Sequence, residues 1–129
     1  MSVVARAAWL DMRDLAPEIV RQRLLIEGRY SVDVDREFVE SFLLDLASHL
    51  DLRTYGSPII HAPGGLGKEE NEGFDAFIPL IDSGISLYVW SAARFFAAVL
   101  FTCKAFDTEA ALSYAAESFE TSEIEHRLF

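Results

Sequence analysis

The sequence predicts an α+β fold, a two-layer α/β sandwich whose mainly antiparallel sheet carries two main helices on one face. Three observations predict it. Two segments repeat apolar residues at helical spacing, the segments around them read as short strands, and the connections between residues 73 and 103 are too short for parallel crossovers. With 129 residues, 51% hydrophobic, the chain is expected to form a single domain over 1–129 that supports its own core.

Taken in order, residues 1–22 are expected to be a lead-in. Asp14 is placed to cap a short helix over 14–22, with Pro17 and Glu18 in its first turn and Arg21 toward its end. Residues 23–32 are rich in apolar and aromatic side chains, and Gly28 argues against helix, so they form the first strand. After Asp35, the positions Phe38, Val39, Phe42, Leu43, Leu46, Ala47 and Leu50 recur at three and four, which gives a helix over 36–50. Residues 52–61 read as a strand that Gly56 and Pro58 bend or confine to an edge. The turn-forming, charged stretch 62–72 is a mobile loop. Strands follow at 73–81, 85–90 and 94–103, joined by turns at Asp82-Ser83-Gly84 and Ser91-Ala92-Ala93. Asp107 caps a second helix that turns Ala110, Ala111, Tyr114, Ala115 and Phe119 inward, and a strand at 122–128 ends the chain.

Composition excludes several classes of function. Twenty-one acidic against eleven basic residues give a net charge of −10, which opposes nonspecific contact with nucleic acid or anionic lipid. Residues 95–101 are far shorter than the roughly 20 apolar residues a membrane helix needs. Residues 1–10 lack a secretion-signal pattern, and one cysteine forbids an internal disulfide, so a cytoplasmic protein is expected. Along 94–103 both strand faces are apolar: Phe95, Ala97, Val99, Phe101 and Cys103 on one, Phe96, Ala98, Leu100 and Thr102 on the other. Two helices cover one face. The other is expected to be covered by a second copy in a symmetric dimer, or else by the chain's own loops.

One stretch carries chemistry. Gly73-Phe74 through Asp82-Ser83-Gly84-Ile85-Ser86-Leu87-Tyr88-Val89-Trp90, continuing to Phe101-Thr102-Cys103, resembles the self-cleaving region of prokaryotic S-adenosylmethionine decarboxylases, which reads Glu-Ser-His-Ile-Ser-Ile-His-Thr-Trp and ends in Phe-Thr-Cys. The match runs without a gap from Ser83 to Cys103 and more loosely over about 100 residues. The resemblance implies the family's fold and a proenzyme whose serine, here Ser83, attacks the preceding carbonyl, here that of Asp82. The serine then becomes a pyruvoyl group, the cofactor, whose ketone takes the amine of S-adenosylmethionine and withdraws electrons as the carboxylate leaves. Cys103 stands where the family cysteine reprotonates the product.

Four positions differ from the family pattern. Tyr88 replaces a histidine needed for processing, and a phenol with a reference pKa near ~10 is a poor proton acceptor at neutral pH. Gly84 replaces a second histidine. Asp82 replaces a glutamate, which the reaction tolerates because the attacked atom is backbone. Asp75 replaces a serine involved in processing and brings a negative charge that opposes a developing oxyanion unless it is protonated or paired. Glu27-Gly28 resembles the Glu-Gly pair in the opening strand of eukaryotic members, where an acidic side chain lies near the substrate; the residues alone give an edge carboxylate beside a bulge. Trp90, with Tyr88, would hold a sulfonium or adenine ring; as strand aromatics both also read as core.

Without the resemblance, Ser83 is a turn residue and Cys103 a small buried hydrophobe. Gly-Gly-Leu-Gly-Lys at 64–68 lacks the earlier glycine of a phosphate loop and has Glu69 where Ser or Thr would bind magnesium. His49, His61 and His126 show no paired ligand spacing, so no metal site is expected. Three readings remain: a decarboxylase of S-adenosylmethionine serving spermidine synthesis, a non-processing homologue that binds a nucleoside or polyamine, and a pyruvoyl decarboxylase of another amino acid such as ornithine or arginine.

Overall fold

The computed structural model describes residues 12–129, so the first eleven residues of the lead-in lie outside the described residues. Eight elements follow: β1 (Gln22–Arg29), α1 (Arg36–His49), β2 (Ile59–His61), β3 (Gly73–Leu80), β4 (Ser83–Trp90), β5 (Phe95–Thr102), α2 (Thr108–Phe119) and β6 (Glu123–Leu128). The strands form one antiparallel sheet in the order β2-β3-β4-β5-β1-β6. Both helices start where an aspartate accepts a backbone N–H of the first turn: Asp35 from Phe38 and Asp107 from Ala110. Their apolar stripes pack on one sheet face against Leu24, Ile26, Ile78, Ile85, Leu87, Phe96, Ala98 and Leu100, all fully buried. The two layers of the expected α+β sandwich are therefore present.

An aromatic cluster joins the layers. Phe119 of α2 stacks on Phe96 of β5, with ring centroids 3.9 Å apart and planes 8° from parallel, and meets Phe42 and Phe38 of α1 edge-on at 4.8 and 5.0 Å. Gly28 makes this possible, since a Cβ there would stand 2.8 Å from the Phe96 ring. Tyr30 and Tyr114 flank the cluster, and burial pushes both phenols above their ordinary value.

Two local expectations are corrected. Residues 14–22 do not form a helix. Asp14 accepts the Ala16 N–H and pairs with Arg21, which holds its carboxyl below the ordinary range, and Ile19 N–H to the Ala16 carbonyl closes a single turn. So short a segment does not sustain a helix unless it packs, and Leu15, Ile19 and Val20 are all exposed. The turn expected at Asp82-Ser83-Gly84 is centred instead on Ile81 and Asp82, because Ser83 already pairs with Leu80 and Thr102. The strand expected at 52–61 is broken at the predicted place: an isolated bridge joins Thr54 to Leu80, and edge strand β2 begins only after Pro58.

Opposite the helices lies a sheet face that no described element covers. It carries Ile59 and His61 of β2, Asp75 and Phe77 of β3, Ser86, Tyr88 and Trp90 of β4, Phe95, Val99 and Phe101 of β5, and Leu25 and Glu27 of β1. Phe77, Tyr88, Trp90 and Phe101 are among the large apolar side chains exposed there.

Candidate functional site

The residues singled out by sequence fall into two groups on the sheet. The first gathers at the β3–β4 turn. Ser83 opens β4 with φ +125°. The other described non-glycine residues with positive φ lie at 47–58°, in the ordinary left-handed well, whereas Ser83 lies beyond it. A non-glycine residue held in such a region stores strain of order 1–3 kcal/mol. The carbonyl of Asp82, directly before it, accepts the backbone N–H of Cys103 at 2.9 Å. Thr102, fully buried, sits opposite Ser83 and donates its hydroxyl to the Lys104 carbonyl, which fixes the chain just beyond Cys103. The Cys103 thiol is exposed, not buried as a residue-only reading has it.

Asp82 itself is buried at the turn. Its Oδ1 lies 3.6 Å from the Arg53 guanidinium, and its Oδ2 has no hydrogen-bond partner. Arg53 reaches it because the chain before β2 runs beside the turn, with Ile81 N–H donating to the Arg53 carbonyl at 2.8 Å. A serine hydroxyl, a carbonyl already bonded by a donor, and a thiol thus meet at one end of the sheet.

The second group forms a row across the uncovered face. Tyr88 stands opposite Asp75 on one side and Ala97 on the other, and Ala97 stands opposite Glu27. Trp90 lies one step along β4 on the same face, tilted against Phe95 with centroids 5.4 Å apart. Tyr88 is five residues from Ser83 along β4, about 16 Å at ~3.3 Å per residue. Within one chain, then, Tyr88, Asp75, Trp90 and Glu27 are brought together with one another but not with Ser83, Asp82 and Cys103.

One member of this row escaped the sequence reading. His61 pairs with Asp75 in the β2–β3 ladder, which extends the row to His61, Asp75 and Tyr88 on three adjacent strands. The three side chains line a shallow depression of about 270 Å³ together with Ile59, Phe77 and Ser86. The signal was the loop 62–72 between two strands, which a hairpin sets side by side, although the register that pairs His61 with Asp75 is fixed only by the structure. The loop itself makes two single turns, at Gly65–Gly67 and Glu69–Asn71, and leads into β3 rather than a helix. Among the described residues, no three His, Cys, Asp or Glu side chains stand close enough to hold a metal, and no helix is long and apolar enough to cross a membrane.

Gly84 explains one departure from the family pattern. A Cβ there would meet the Phe77 ring at 2.5 Å, so that aromatic ring lies over the site of the missing histidine.

Comparison with known proteins agrees with this geometry. The family model described as S-adenosylmethionine decarboxylase matches residues 29–129. No curated protein sequence matches the chain. Among solved structures, the adenosylmethionine decarboxylase from Aquifex aeolicus VF5 is similar, with a TM-score of 0.67 and 18% identity over 86% of this chain and 89% of that one. At that identity the likeness establishes the fold, an antiparallel sheet backed by two helices, while the family model spans most of the chain, including Ser83 and Cys103. The chain belongs to the S-adenosylmethionine decarboxylase family.

Proposed function

We propose that this chain is a proenzyme that cleaves itself between Asp82 and Ser83 and then decarboxylates S-adenosylmethionine, a reaction that feeds spermidine synthesis in the cytoplasm. The observation that carries the reading is the strained Ser83 next to a carbonyl already bonded by the Cys103 N–H. Ser83 Oγ would add to the Asp82 carbonyl carbon, the C–N bond would break, and the hydroxyl proton would end on the freed amine. The donor offsets charge growing on the carbonyl oxygen, and the shift releases the backbone strain. Loss of the Cα proton and of the Asp82 carboxylate from Cβ, then addition of water and departure of ammonia, leaves a pyruvoyl group at residue 83.

The residues present fit that group. It would head β4 within reach of the exposed Cys103 thiol, and when formed it supplies an electron sink for loss of the substrate's carboxylate. Cys103 would return a proton to the product carbon. Trp90, Glu27 and the Tyr88 ring offer stacking and charge to a sulfonium and its adenosine. Because these groups lie far from Ser83 in one chain, a second copy is part of the reading. A second copy packed on the same face would bury Phe77, Trp90 and Phe101 and bring its own Tyr88 row to the assembly.

A second reading, a non-processing homologue that binds a nucleoside or polyamine, draws on Tyr88 and Gly84 at the two histidine positions. Intact-mass measurement separates the two. The proenzyme reading expects the 14.5 kDa chain to give two fragments joined at 82/83, the later one lighter by one ammonia than simple hydrolysis leaves it. Ser83→Ala should remain whole. A wild-type chain that stays whole and does not react with carbonyl-trapping reagents overturns the proposal. Decarboxylation assays with S-adenosylmethionine, ornithine and arginine then decide the substrate.

A further inference from the structure

We infer that Arg53 is the counter-ion of the carboxylate that leaves Ser83 in the second step of self-cleavage. The inference rests on the self-cleaving reading above and assigns that step a residue from outside the Gly73–Cys103 stretch. The difficulty it resolves is electrostatic. Elimination turns the Asp82 carbonyl into a second carboxylate on a residue that is 8% exposed and already carries one. Two like charges on one buried residue oppose each other, and burial removes the water that would screen them.

One cation stands at this spot. Arg53 Nη2 lies 3.6 Å from Asp82 Oδ1 and is the ion-pair partner of Asp82 among the described residues, reaching it from the surface. The Arg53 backbone is pinned beside the turn: Ile81 N–H donates to its carbonyl at 2.8 Å, and the next residue, Thr54, bridges to Leu80. The guanidinium makes no hydrogen bond among the described residues at this distance, and Asp82 Oδ2 is buried without a partner, so the pair is an open one. A guanidinium is planar with five N–H donors, enough to bridge two carboxylates. The nearby Lys104 is committed elsewhere, its Nζ donating to the Asp51 carbonyl at 2.7 Å. The Cys103 N–H already on the Asp82 carbonyl is a neutral donor, so Arg53 supplies the charge.

In the ester that the first step leaves, Ser83 Oγ is bonded to the Asp82 carbonyl carbon and the Ser83 nitrogen is a free amine. A solvent water takes the Ser83 Cα proton, and the freed pair forms the Cα–Cβ double bond. The Cβ–Oγ bond breaks with its electron pair on Oγ, which departs as part of the Asp82 α-carboxylate. One oxygen of that carboxylate keeps the Cys103 N–H, and the other, newly charged, takes an N–H of Arg53. The ester itself is neutral, so the loss of Arg53 is felt at elimination rather than at the shift before it.

The test follows the full chain by intact mass with and without hydroxylamine, which splits an ester and leaves a hydroxamate on Asp82; circular dichroism and thermal melting check folding. Arg53→Gln should slow formation of the pyruvoyl fragment about 10-fold, the low end of what a hydrogen bond to a charged group contributes. It should also build up a whole chain that hydroxylamine cuts at 82/83. Arg53→Lys, which keeps the charge, should recover most of the rate. Asp82→Ala added to Arg53→Gln should be faster than Arg53→Gln alone, because one of the two opposed charges is then gone. Arg13→Gln, at an exposed position away from the turn, should match wild type. Wild-type cleavage with an unchanged rate in Arg53→Gln overturns the inference and leaves the proenzyme reading standing. So does a slow Arg53→Gln that builds up no hydroxylamine-labile chain or that neither Arg53→Lys nor Asp82→Ala relieves, since that marks a structural role, and so does equal slowing in Arg13→Gln. An uncut wild-type chain that hydroxylamine also leaves whole overturns both.

Discussion

Ser83 is the residue on which the proposed chemistry turns, and its setting depends on neighbours that contribute only backbone or the lack of a side chain. Gly73 and Gly84 show how differently two glycines on one sheet behave. A Cβ at Gly73 would lie 1.7 Å from the Val89 carbonyl oxygen, backbone that cannot yield, whereas at Gly84 it meets only the tip of the partly exposed Phe77 ring. Gly73→Ala should therefore destabilise the protein by at least about 3 kcal/mol in urea unfolding, while Gly84→Ala, with the ring swung outward, stays within about 1 kcal/mol. Equal losses at the two sites would show that the Phe77 ring is as constrained as the backbone. The same residue scale shows where sequence was readable. Ser83 and Cys103 follow from the resemblance of the stretch between them to a family motif, but the strain at Ser83 and the Cys103 N–H on the Asp82 carbonyl do not, since both arise from how the hairpin meets β5.

At the scale of elements, the helices and long strands were legible because each obeys its own period. Arg36–His49 and Thr108–Phe119 follow the apolar stripe and start at the aspartates that cap them. Residues 14–22 had the cap and the proline but leave Leu15, Ile19 and Val20 exposed among the described residues, and local signals without burial produced a turn. What holds the helices to the sheet is concentrated in α2 at Phe119, which touches Tyr30, Phe38, Phe42 and Phe96 at once. Phe119→Ala should cost about 3–5 kcal/mol. Denaturant unfolding checks this, and a loss below about 1 kcal/mol would mean that the cluster closes over the gap. The short edge strand β2 was the least legible element, yet it carries His61. Gly56 and Pro58 hide its start, and only pairing with β3 gives its register.

For the whole molecule, the sheet face opposite the helices is the feature that the described residues of one chain leave uncovered. The helices bury one side of β5, with Phe96, Ala98 and Leu100 fully enclosed, and the alternation that fills that side necessarily puts Phe95, Val99 and Phe101 on the other. The proposed dimer gives those side chains a use. Phe101→Arg, at a position 43% exposed in one chain, should leave the chain folded by circular dichroism, with a melting temperature lowered only by what dimerisation adds. It should also reduce the sedimenting species from two chains to one. A wild-type chain that sediments as a monomer would remove the second copy from the mechanism.

By itself the sequence determined the element order, the fold class and the family, since these depend on periodicity and on a motif contiguous from Ser83 to Cys103. Tertiary structure alone decided which side chains meet. Strand register brought His61 beside Asp75 and Tyr88 from positions fourteen and twenty-seven residues away, and it held Tyr88 apart from Ser83 on the same strand. The reason is geometric: an extended strand separates its own residues by about 3.3 Å per step, while neighbouring strands stand only about 4.8 Å apart, so a row across a sheet is assembled by pairing and not by proximity in the chain.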